Sequence, residues 1–256
     1  MDKVVNNYAP ARPNVKTMEE LLNEVHDVNF VFPLKELDSG KVRLVPFIPS
    51  VHMPLLVTRP AAHPELFHHT AYGPLDDLPS SLQMYEVFIR SNPGGIWYAV
   101  LDLTREDLDK PELGGAFAGT IGLWEASREQ NQAELACVVY LPEFQKTHVG
   151  THSAGLLLHW LLDSPTQGGL GLRRVQWRAN ELNAKSIQAA ERLGFKREGT
   201  LRWHMVLSEG KEGLDPPTEP DGLTGPGRHS ALLSLCWEDW QEGGRERIEM
   251  LMNRAG

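Results

Sequence analysis

Cysteine is scarce: Cys137 and Cys236 are the only two in 256 residues, each inside a strand-like stretch. Two thiols so placed cannot build a disulfide framework and read as buried free cysteines of a cytoplasmic protein. No cluster of His and Cys has metal-ligand spacing, so no metal is expected. No base stands near Cys137 in the sequence to make it a nucleophile. No apolar run approaches the ~20 residues of a membrane span, and the first residues, Met-Asp-Lys-Val-Val-Asn-Asn, lack an apolar signal core. Dense Lys/Arg runs are missing and the net charge is −9, which argues against nucleic acid or an anionic membrane as partner. No internal repeat is evident. Neither Gly-x-x-x-x-Gly-Lys-Ser/Thr nor Gly-x-Gly-x-x-Gly occurs, so the two familiar nucleotide loops are excluded.

What the chain does contain is a core: 41% of its residues are hydrophobic, against disorder. Residues 1–16, with Pro10 and Pro13, read as an arm. A short helix follows over 17–25, with Thr17 as cap and Glu20 three residues on. Residues 29–34 read as an apolar extended piece, and 41–47 as the first main strand. Between 50 and 78 the prolines leave room for two short helices. Pro79, Ser80 and Ser81 cap a further helix through Ile89. Strands are expected over 96–103, 116–124, 174–178, 200–206 and 231–236. The small residues of the 116–124 strand predict close backbone packing. A short helix over 186–193 stops at Gly194, and a last amphipathic helix covers 240–254. Residues 209–228, rich in Pro and Gly, read as a long mobile loop. Helices set among strands imply an α/β (α+β) fold with a mixed, mostly antiparallel sheet flanked by helices on both faces. We read residues 1–40 as an extension and 41–256 as one domain.

The chain is organised around residues 134–151. Residues 136–140 are a β-branched, apolar run of strand length, and Pro142 ends it. From Gly150 on, Ala154, Leu157, Leu158 and Leu161 fall at the spacing of a buried helical stripe. A strand that feeds a helix N-terminus aims free amides and the positive end of the helix dipole at one spot, which suits a phosphate or pyrophosphate.

Gln145-Lys-Thr-His-Val-Gly150 resembles the Gln/Arg-x-x-Gly-x-Gly/Ala signature of the GNAT superfamily of acyl-CoA-dependent N-acyltransferases. His148 stands where the first Gly is usual, and Thr147-His148-Val149 is similar to branches related to RimJ and RimL. A second stretch, Asn183-Ala-Lys-Ser186 followed by Leu193-Gly-Phe195 and Gly199, resembles the downstream motif of the same superfamily. Ser234 to Trp240 resembles the closing strand of RimJ/RimL-like members. The resemblance spans about residues 41–245.

It implies acetyl-CoA as co-substrate, splayed strands at its site, and an amine acceptor: a small-molecule amine or a protein N-terminus. By this resemblance Cys137, Val138 and Val139 would pair with the pantetheine arm. Gln145, Lys146, Thr147, His148, Val149, Gly150 and Thr151 would hold the pyrophosphate. Asn183 and Ser186 would contact the arm, although Asn183 reads equally as a helix N-cap. For His148 a polar loop side chain near phosphate is the plainer reading. Direct transfer to an amine needs a base for the amine, a donor to the oxyanion and an acid for the thiolate. The resemblance makes Glu134 the base, against an exposed strand-end carboxylate, with Glu125 as the alternative. The tyrosine that many members use as acid is Ala190 here. Ser186 is the remaining candidate, against a capping or cofactor-contacting hydroxyl. A non-catalytic acyl-CoA-binding regulatory module is the other class that fits, and a homodimer is left open.

Overall fold

The structure, a computed structural model, describes residues 17–23, 26–216 and 225–254. The expected arm over 1–16 and the last two residues of the first predicted helix lie outside them. Eight strands form one sheet in the order β1-β2-β3-β4-β5-β6-β8-β7. They are β1 (Leu37–Asp38), β2 (Val42–Pro46), β3 (Ile96–Asp102), β4 (Ala116–Ser127), β5 (Gln132–Tyr140), β6 (Arg174–Asn180), β7 (Lys196–Val206) and β8 (Gly227–Cys236). Every pair is antiparallel except β5 with β6. Helices flank the sheet, as the alternation of strand and helix patterns predicts. All seven residues of β3 are buried, so both faces of the sheet centre are covered.

Helix α1 (Met18–Asn23) carries the predicted capping box: the Glu20 amide donates to Thr17 Oγ at 3.2 Å, and the Thr17 amide to the Glu20 carboxylate at 2.7 Å. The two helices expected between 50 and 78 are α2 (Pro49–Thr58) and a single 3₁₀ turn (Pro64–Phe67). Helix α3 (Leu78–Tyr85) begins earlier than predicted. Its cap is Asp77, whose carboxylate accepts from the Ser80 amide at 2.8 Å. Pro79 falls inside the first turn, where its missing N–H costs nothing.

Helix α4 (His148–Leu162) buries the predicted stripe: Leu157, Leu158 and Leu161 are fully enclosed and Ala154 nearly so. Enclosing each leucine contributes about 1.5–3 kcal/mol. α4 contacts β1 through β6, with α7 (Arg245–Met252) on it. Helix α5 (Ala184–Leu193) packs on β6 and ends at Gly194. The predicted last helix is not continuous. A single turn, α6 (Trp237–Asp239), is parted from α7 by Glu242 and Gly243, the latter at φ 112°. Only glycine adopts that angle without penalty, and the Gly243-Gly244 pair was the signal for the break.

Two features of this frame open the site. A Cβ on Gly119 would stand 2.0 Å from the Val139 carbonyl, so β4 and β5 approach closely where small residues predicted it. Just beyond, Thr120 pairs with Val139 and Gly122 with Ala136. One residue of β4 thus faces two of β5, a bulge with Cys137 at φ 55°. At the same level β5 leaves β6. The two pair only from Gln132–Arg174 to Leu135–Trp177, and residues 136–140 have a strand on one side alone.

Candidate functional site

β5 delivers its open edge to the N-terminus of α4 through the turn Pro142–Phe144. The first four amides of a helix lack intrahelical partners, here those of Thr147 to Gly150. The Thr147 hydroxyl takes the Val149 amide at 3.3 Å and donates to the Phe144 carbonyl at 2.6 Å, which fixes the turn. Lys146 is held at φ 60°, and the Gln145 amide donates to the Tyr140 carbonyl at 3.0 Å. The His148 imidazole turns to Asp102 at 3.1 Å, so it is the backbone of His148 that faces the open turn. Thr151 is buried, and its hydroxyl accepts from Arg192 at 3.4 Å. Its amide is the first to enter the helical ladder, which sets it apart from the open amides.

A cavity of about 500 Å³ adjoins the splayed strands. Of the residues singled out in the sequence, Glu134, Cys137, Val138, Asn183 and Ser186 line it. Val139 is buried, and residues 145–151 lie outside the lining, at the α4 end. The Asn183 carbonyl oxygen accepts from the Ser186 amide at 3.1 Å. It caps α5 as one reading predicted, and its NH₂ stays available. Ser186 Oγ accepts from Trp177 Nε1 at 3.0 Å and keeps its own proton to donate. Burial pushes the Cys137 thiol up to about 12, so it is no nucleophile.

Glu134 is not an exposed strand-end carboxylate. It is 4% exposed and accepts from Arg178 Nε at 2.6 Å, with Arg178 NH2 also in contact. Glu125, half-exposed and at φ 47°, takes Arg178 NH2 at 2.7 Å and the Gln176 amide at 3.0 Å. Arg178 NH1 reaches His204 Nε2 at 3.1 Å. That nitrogen must therefore accept, and burial together with the two nearby guanidiniums holds the His204 ring neutral. Burial is the largest influence on Glu134 and raises it above the ordinary carboxylate value, with Glu125 adding and Arg178 opposing. A raised carboxylate is a better proton acceptor at neutral pH.

Sequence reasoning missed Arg178, Tyr72 and Arg228. For Arg178 a signal existed: Gln176 and Arg178 alternate with the apolar Val175, Trp177 and Ala179, so one face of β6 is polar. For Tyr72 and Arg228 there was none. Six buried side-chain polar atoms lack a hydrogen bond among the described residues. Four of them, His69 Nδ1, Tyr72 Oη, Trp97 Nε1 and Arg228 Nε, belong to residues lining this cavity. Buried polar groups are normally satisfied, so a cavity bordered by such residues suits a polar ligand. Burial, and Cys137 beside it, push the Tyr72 phenol well above its usual value, against a smaller effect of the Thr120 hydroxyl. Tyr72 is thus a protonated donor beside Cys137 on the bulge. Its turn is fixed by the segment that follows β7: Lys211 donates to the carbonyls of Phe67, Thr70 and Tyr72 at 2.7, 3.0 and 2.9 Å. Glu212 meets His68 at 2.6 Å, and Leu214 pairs with Gly227. The described ends of the expected mobile loop are therefore tied down, and residues 217–224 lie outside the described residues. No group of His, Cys, Asp and Glu among the described residues could hold a metal ion, and no helix there is long and apolar enough to cross a membrane.

Comparison with known proteins accords with this geometry. A search of curated proteins finds no match. A GCN5-related N-acetyltransferase from Brucella melitensis superposes with TM-score 0.67 at 20% identity, over 87% of each chain. RimJ of Mycobacterium smegmatis, in complex with CoA-disulfide, does so with TM-score 0.59 at 14% identity, over 87% of this chain and 95% of that one. Spermidine N-acetyltransferase from Vibrio cholerae, in complex with CoA and spermine, gives TM-score 0.54 at 14% identity, over 79% of this chain and 99% of that one. At these identities they show a shared fold. The family model for the acetyltransferase (GNAT) domain matches residues 41–196, more than half of the chain, and the protein belongs to that family.

Proposed function

We propose that this chain moves an acetyl group from acetyl-CoA to a primary amine. The observation that carries the reading is the fork between β5 and β6. It leaves the backbone of 136–140 open beside the free amides of α4 on one side and a polar, unsatisfied cavity on the other. A long donor can lie along that edge, with its phosphates at residues 147–150 and its thioester end in the cavity. Two of the structural neighbours were solved with CoA or its disulfide, which supports the same donor here. Thr147-His148-Val149 and the segment 234–240 support the RimJ/RimL branch.

In this reading the groups divide the work by position. Glu134, through a water, accepts the proton of the amine. The amine nitrogen bonds to the acetyl carbon, the carbon–sulfur bond breaks, and the thiolate takes a proton. Tyr72, protonated and lining the cavity beside the bulge, supplies it, in the place of the tyrosine for which Ala190 stands. Ser186 keeps the donor's arm in register from the N-terminus of α5. The reading takes residues 41–256 as one catalytic unit and the protein as cytoplasmic.

The test is thermal and catalytic. Acetyl-CoA at 100 times its Kd should stabilise the protein by about 2.7 kcal/mol through mass action. Gly150→Glu should abolish that shift. A Cβ at Gly150 meets only Tyr140, at 3.4 Å, so the backbone tolerates the change while a negative charge enters the phosphate turn. Acetyl-CoA-dependent thiol release with amines separates an enzyme from a module that merely binds acyl-CoA. No thermal shift at millimolar acetyl-CoA would refute the donor site.

A further inference from the structure

Arg228, the second residue of β8, is 8% exposed and lines the cavity. Its Nε is enclosed and meets no hydrogen-bond acceptor. No carboxylate among the described residues comes within ion-pair distance of it, whereas Arg178, on the same cavity wall, is held by both Glu134 and Glu125. The other basic groups that influence Arg228's surroundings are Arg178, Lys211, His69 and His204, and the single acidic one is Glu134. A buried guanidinium with no directly paired counter-charge is costly in a folded protein. Where such a group faces a cavity, the missing partner is supplied by what enters the cavity.

We propose that Arg228 anchors an anionic group of the acceptor, so that the acceptor is a small amine that also carries a carboxylate or a phosphate. This rests on the acetyl-transfer reading above and adds the substrate class to it. The guanidinium fork matches both anions in a two-pronged bond. Glu134 and Arg228 stand on one cavity, so one molecule can place its amine at the carboxylate and its anion at the guanidinium. A polyamine such as spermidine does the reverse: its second cation would meet Arg228 where a counter-ion is required.

Thiol release from acetyl-CoA by the full chain tests this with matched pairs: L-lysine with cadaverine, L-phenylalanine with phenethylamine, phosphoethanolamine with ethanolamine, and spermidine alone. A charge-assisted bond of this kind is worth about 10- to 100-fold in kcat/KM, so the member that carries the carboxylate or phosphate should exceed the one that lacks it by that factor. The lysine and phosphoethanolamine pairs tell which anion is read. Arg228→Gln should bring the ratio to about one, and Arg228→Lys should keep part of it, because the charge remains while the fork is lost. The acetyl-CoA thermal shift reports whether either variant is folded. If Arg228→Gln is not, the ratios in the wild type and Arg228→Lys decide. Equal use of the members of each pair, preference for spermidine, or an unchanged ratio in a folded Arg228→Gln overturns the anchor alone. Absence of thiol release with every amine overturns the acetyl-transfer reading, and the anchor with it.

Discussion

Replacing Glu134 by Gln isolates one proton acceptor inside a three-way ion pair. In the wild type Arg178 holds Glu134 through Nε at 2.6 Å and holds Glu125 at 2.7 Å. The glutamine keeps the shape and one hydrogen bond but loses the charge, and Arg178 retains Glu125. The stability loss should therefore stay at about 1–3 kcal/mol, the worth of a charged hydrogen bond, well short of unfolding. Turnover should fall far more, by about 10²–10⁴-fold, if the carboxylate takes the amine's proton. Acetyl-CoA affinity should hardly move, because the N-terminus of α4 at 147–150 lies at the other end of the site. The pH–rate profile gives the sharper readout. A base must be ionised to act, so activity climbs with pH through its pKa. Burial raises Glu134, so the acidic limb should lie above the ordinary glutamate range and vanish in the variant. The double variant Glu134→Gln, Arg178→Met separates chemistry from structure. It removes the guanidinium left with Glu125 alone and should regain part of the stability without regaining turnover. Recovery of both, or near-normal turnover in the single variant, would show that Glu134 only positions Arg178. Loss of turnover in Glu125→Gln instead would move the base to Glu125.

Tyr72→Phe should lower turnover by about 10²-fold, and the loss should shrink with a thioester of a more acidic thiol, which leaves without needing a proton; equal activity with acetyl-CoA would remove Tyr72 as the acid. His52, 2% exposed, accepts the Ile48 amide at Nδ1 at 2.8 Å, and burial, with His26 adding, lowers it from 6.5 to about 4. The unfolded chain then binds a proton that the folded one refuses. Stability should be full above pH 6.5 and fall by about 3 kcal/mol as pH drops to about 4, measured as denaturant midpoints; His52→Gln should flatten that slope, and an unchanged slope would place the acid sensitivity elsewhere.

The elements of this fold were legible wherever one segment carried its own signal. The change from a β-branched apolar run to a helical stripe across residues 136–161 located β5 and α4, and Thr17 with Glu20 located the first cap. Gly119 was foreshadowed by the small residues of its strand. The bulge at Cys137 was not, because Cys137-Val138-Val139 holds no residue that favours a left-handed angle; the close approach at Gly119 and the departure of β6 impose it. The cavity was legible only along β5 and α5. Its other walls come from Tyr72, Arg178 and Arg228, three segments far apart in sequence that meet only once the sheet is assembled. Glu134 read as a base on its position in the strand, but its guanidinium partner is a tertiary fact.

The strand order also says when, during synthesis, the protein becomes whole. β1 through β5 are neighbours in the order in which they are made, so each strand leaving the ribosome finds its partner already present, with little chain to close. β6 and β7 do not. β8 lies between them, and until it arrives both carry bare edges open to other chains. Arg228 sits at the start of that last strand, so the final wall of the cavity arrives with the insertion that seals the sheet. A nascent chain halted after Val206 would hold the donor's strand and helix beside two unsatisfied edges, which makes the carboxyl-terminal strand the step at which an aggregation-prone half-product becomes a finished site.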